Sequence, residues 1–78
     1  MELEIFEVGV TSKYPDGVKY GLMCFDTKTK KRVLLDNHHP KGSHVHLDDL
    51  ELSYAYINDE TLIQDFKEMV LNHLGVKL

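Results

Sequence analysis

Cysteine is almost missing from this chain of 78 residues: Cys24 stands alone. That excludes an internal disulfide and every thiolate-rich metal site, the Cys-x-x-Cys zinc knuckle and redox pair included. Long apolar runs are missing as well. None approaches the roughly 20 residues that cross a bilayer, and Met1-Glu2-Leu3-Glu4 has neither the basic start nor the apolar centre of a secretory signal. The expected location is the cytoplasm, with no membrane partner. Basic residues are few. Nine Lys and Arg against thirteen Asp and Glu leave a formal charge of −4, which argues against the broad positive face of a duplex-DNA binder and leaves room only for a local patch.

What is present is an ordinary globular balance, 42 % apolar and 28 % charged, far from the composition of a disordered chain. The length fits one domain spanning residues 1–78. A domain this small hides only about 60–65 % of the surface its unfolded chain exposes, so a metal or a second copy commonly supplies what the core cannot.

The patterning predicts strands first. Leu3 to Val10 reads as a strand whose apolar phase shifts from Leu3 and Ile5 to Phe6, Val8 and Val10, as a bulge or burial on both faces would give. Pro15-Asp16-Gly17 is a turn, because proline presets φ and glycine accepts a positive one. Val18, Tyr20, Leu22 and Cys24 alternate with Lys19, Gly21 and Met23 as a second strand reaching Phe25, and Arg32 to Leu35 returns as its hairpin partner. Asp36 to Ser43 collects turn formers around Pro40 and is expected to be a loop. His44 to Leu47 is a short strand with both histidines on one face and Val45 and Leu47 on the other. After Asp48-Asp49, the alternation Leu50, Leu52, Tyr54, Tyr56 predicts a further strand. Asn58 or Asp59 then caps a helix carrying Leu62, Ile63, Phe66, Met69, Val70 and Leu74 on one stripe, with Gly75 as its C-terminal cap. The predicted fold class is α+β: an antiparallel β-meander of three to five strands with one C-terminal amphipathic helix packed on one face.

The chemistry points to histidine. His38, His39, His44 and His46 fall within nine residues, beside Asp36, Asn37, Asp48 and Asp49, where ordinary usage would place on the order of 0.2. Two histidines at i and i+2 on one strand face project the same way, so His44 and His46 form a candidate metal pair. Asp48 is one candidate third ligand, Asp36, His38 or His39 being others, and zinc is a fitting divalent transition metal. Without a metal, two imidazoles of different protonation can act as base and acid on the ribose 2′-hydroxyl of RNA, with Lys13, Lys19, Arg32 and Lys41 available for phosphate. The plainer alternative is that these histidines cap turns or stay solvated. His73 reads as a boundary residue compatible with the helix dipole, and Cys24 as a small core side chain. Tyr54 and Tyr56, in phase with Leu50 and Leu52, read as core or interface residues.

Tyr20 on a hairpin strand, a charged turn, a strand running into Asp36-Asn37-His38-His39-Pro40, then His44-Val45-His46 and a terminal helix together resemble the TumE family of toxin–antitoxin proteins. The likeness runs from about Val18 to Leu74. Its specific part is Asp36, Asn37, His38, His39, His44 and His46, with Asn37 running straight into His38 and Ser43 standing where the family usually has a histidine. The resemblance implies a helix-turn-helix antitoxin as partner. The expected function is accordingly that of a TumE-like toxin–antitoxin protein, with these six residues as the catalytic site of acid/base chemistry on nucleic acid. The alternative is a non-enzymatic interaction module, a homodimer or a partner-binding domain, carrying a histidine metal site.

Overall fold

The computed structural model describes residues 1–38 and 42–78. Its elements follow in the order β1 (Glu2–Glu7), β2 (Val18–Phe25), β3 (Arg32–Asp36), β4 (His44–Leu47), β5 (Leu50–Ser53) and α1 (Asp59–Leu74). The strands pair antiparallel with their sequence neighbours in the order β1-β2-β3-β4-β5, so the sheet is a meander. This is the expected α+β architecture.

Strand register sorts the side chains into two faces. Leu3, Leu22, Leu35, Val45 and Leu52 lie opposite one another across all five strands. With Val18, Tyr20, Cys24 and Val33 they form the face that receives α1. The helix lays Leu62, Phe66 and Val70 onto the middle of that face, all three fully buried, while Ile63, Met69 and Leu74 flank them. Its apolar stripe is the one the periodicity predicts. One helix of 16 residues covers only the middle strands, so Leu3 at one edge and Leu52 at the other are about half exposed.

The helix ends where its sequence dictates. The Asn58 side chain accepts a hydrogen bond from the Thr61 amide at 2.7 Å, and Gly75, at φ 73°, donates its amide to the Leu71 carbonyl. Two polar ties hold α1 to the β4–β5 side of the sheet. The Tyr54 hydroxyl donates to Asp65 at 2.6 Å, and His73 Nε2 lies 2.8 Å from Asp48 Oδ2.

Three boundaries differ from expectation. β1 stops at Glu7 because Gly9 takes φ 75°, and the chain turns through Gly17, also at φ 75°; Val8 and Val10 lie outside the strand and no bulge is needed to explain them. β3 extends one residue further, to Asp36. β5 is shorter than expected. It ends at Ser53; Tyr54 still donates its amide to the Ser43 carbonyl at 3.2 Å while its hydroxyl bonds to Asp65, and Tyr56 bonds to Asp59 and stacks on Tyr20 with ring centroids 5.7 Å apart.

Candidate functional site

The face opposite the helix holds the histidines. Alternation along β4 sends Val45 and Leu47 to the core and His44 and His46 the other way. The register then builds two rows across the sheet: Glu4, Gly21, Asp36, His44 and Ser53 in one, Glu2, Met23, Leu34, His46 and Glu51 in the next. No other element of the described chain lies over this face.

His44 is the fixed member. Its Nδ1 is 2.7 Å from the Gly42 carbonyl, and its Nε2 is 3.0 Å from Asp36 Oδ1. A carbonyl only accepts, so Nδ1 carries a proton and Nε2 faces the carboxylate. The ring is buried, which makes these two contacts orienting ones. His46 is half-buried beside it, ring centroids 4.8 Å apart and planes nearly perpendicular. Glu51 sits directly across the β4–β5 ladder from His46. One donor atom each from His44, His46 and Glu51 lie within 4.8 Å of one another.

Two hollows flank the Asp36–His44 pair. The first, of about 190 Å³, is lined by Glu4, Phe6, Lys19, Gly21, Asp36 and His38, and a Cβ built on Gly21 would meet no atom within 4 Å. The second, of about 390 Å³, is lined by Ser43, His44, Glu51, Leu52 and Ser53. Each offers space beside a charged or titratable group, the first with Lys19 and Asp36 both on its wall and the second opening onto His44 and Glu51.

The residues singled out from the sequence part company here. Asp36, His44 and His46 come together. His38 is exposed at the rim, with its amide 3.4 Å from Asp36 Oδ1. His39 lies outside the described residues, as do Pro40 and Lys41. Asn37 is buried with its amide committed to backbone: Oδ1 accepts from the Tyr20 amide at 2.8 Å and Nδ2 donates to the Val18 carbonyl at 2.7 Å. It continues the β2–β3 ladder with a side chain and cannot face a substrate. Asp48 does not join His44 and His46. It occupies the β4–β5 turn at φ 57°, accepts from the Arg32 amide at 2.8 Å and bonds to His73, and the amide hydrogen bond in particular holds its carboxyl below the usual range. The third donor is Glu51. The signal for it was the two-residue Asp48-Asp49 connection: a hairpin that tight sets Leu47 against Leu50 and hence His46 against Glu51.

Compared with known proteins, the chain matches no family model, no curated protein and no solved structure. Among the described residues no helix is long and apolar enough to cross a membrane.

Proposed function

We propose that this chain is a TumE-like protein of a toxin–antitoxin pair, acting on nucleic acid by acid/base chemistry at Asp36, His44 and His46. One observation carries the reading: two imidazoles stand edge to face on the sheet face opposite the helix, one of them oriented by a carboxylate 3.0 Å away and a backbone carbonyl. Imidazole pairs can take a proton from a ribose 2′-hydroxyl and return one to the leaving 5′-oxygen as the phosphodiester rearranges to a cyclic phosphate. Lys19 in the adjoining hollow supplies a cation for phosphate. His46 and His38 are the members that solvent reaches.

The test is bacterial growth after tightly controlled induction. The wild type is expected to arrest growth, and His46→Ala and Asp36→Asn, each shown folded by circular dichroism, are expected to relieve the arrest. Growth undisturbed by the wild type at equal expression would sink the proposal.

A second reading has its own support. Leu50 and Leu52 are 55 % and 45 % exposed on an edge strand, the arrangement of a surface awaiting a partner. On this reading the chain is an interaction module, binding a second copy or an antitoxin. A monomer by sedimentation that captures no co-expressed antitoxin would count against it.

A further inference from the structure

We infer that His44, His46 and Glu51 form a binding site for a divalent transition metal, zinc foremost, with one coordination position open to water or substrate. Among the described residues these three side chains are the group of metal-ligating type whose donor atoms converge. The backbone brings them together without strain. His44 and His46 share one face of β4 by alternation, and Glu51 meets His46 by register.

The donor set selects the ion. Two imidazoles and a carboxylate suit zinc, copper or nickel, whereas magnesium and calcium take oxygen. Three protein ligands with an open fourth position is the arrangement of catalytic rather than structural zinc. Ligands about 2.0–2.2 Å from zinc stand roughly 3.3–3.6 Å apart in a tetrahedron. The observed limit of 4.8 Å therefore has to close by about 1.2–1.5 Å, a distance that side-chain rotation at His46 and Glu51 spans.

The surroundings fit as well. A ligating histidine ordinarily donates its other ring N–H to a carbonyl or carboxylate, fixing the tautomer. His44 does this already, with Nδ1 on the Gly42 carbonyl. Asp36, 3.0 Å from Nε2, holds the side from which a metal would reach that nitrogen, so loading the site exchanges this contact for the ion, and Asp36 with Glu51 then balances its two positive charges when both rings are neutral. The hollow of about 390 Å³ beside His44 and Glu51 gives the open position room. The site stands on this geometry alone. Its use rests on the reading above as to substrate but changes the roles of the rings: imidazoles that hold a metal no longer move protons, so a metal-bound water would supply the base and the metal would polarise a phosphoryl oxygen.

The experiment is zinc titration of the tag-free full chain, followed by equilibrium dialysis against a chromophoric chelator and by the visible spectrum of the cobalt-substituted protein. The expected result is one metal per chain. His46→Ala and Glu51→Gln, both at positions solvent reaches, should each weaken binding by about 10- to 100-fold or more. Asp48→Asn and His73→Ala, on the opposite side of the sheet, should leave it within about twofold. Absence of stoichiometric binding, or binding untouched by both His46→Ala and Glu51→Gln, overturns the site. The two proposals fail separately. Stoichiometric binding without growth arrest keeps the metal site and removes the toxin; arrest by a chain that binds no metal does the reverse.

Discussion

Asn37 shows how residue type and residue role diverge. Next to Asp36 and His38 it reads as part of a polar site, yet both ends of its amide are spent on the backbone of β2. Asn37→Ala leaves a buried amide and a buried carbonyl unpaired, a loss of roughly 2–4 kcal/mol. Asn37→Asp keeps the acceptor for Tyr20 but sets a carboxylate oxygen against the Val18 carbonyl, so urea denaturation should show it at least as destabilised. A catalytic asparagine would behave otherwise, losing activity at unchanged stability. Gly21 gives the converse case. It sits in the middle of β2 in the row of Asp36 and His44, with open space where a Cβ would go. Gly21→Ala is expected to stabilise the fold by about 0.5–1 kcal/mol in the same assay, since the strand loses the entropy cost of glycine and nothing is displaced.

At the scale of elements, the segment between β5 and α1 does more than connect. Burial raises the Tyr56 phenol to about 12, helped by its hydrogen bond to Asp59; burial likewise raises Tyr54, helped by Asp65. A phenol whose folded pKa lies above the unfolded value of about 10 contributes fully below that pH. Between about 10 and 12 the unfolded chain has released the proton that the folded one keeps, so stability falls as pH rises. Thermal melts from pH 9 to 12 should show this loss beginning near 10, and Tyr56→Phe should make it shallower. An unchanged slope in that variant would remove Tyr56 from the account. The helix itself follows local rules. Asn58→Ala and Gly75→Ala should each cost about 1 kcal/mol, the first through a lost cap and the second through a side chain forced to φ 73°.

On the scale of the molecule, everything apolar depends on one helix lying across the middle of one sheet. A chain of 78 residues is stable by roughly 4–12 kcal/mol at the usual 0.05–0.15 per residue. Phe66 is fully buried at the centre of the interface. Phe66→Ala, at about 3–5 kcal/mol, should therefore remove a quarter or more of that stability, visible as a clearly lowered denaturant midpoint. The same economy leaves the second face of the sheet without a helix, and that face is where Asp36, His44, His46 and Glu51 meet.

Much of this was written locally. The alternation of β2, the Pro15-Asp16-Gly17 turn, the helix stripe and its two caps are properties of neighbouring residues, because strand and helix periodicity and turn φ are set within a few positions of chain. The common face of His44 and His46 is local for the same reason. The partners of those histidines were not. Asp36 is eight residues from His44 and meets it only through β3–β4 register, while Asp48, closer in sequence to His46 than Glu51 is, turns to Arg32 and His73. Sequence determined which side chains share a strand face; pairing register, a long-range consequence of packing one apolar row beneath the helix, decided which of them touch.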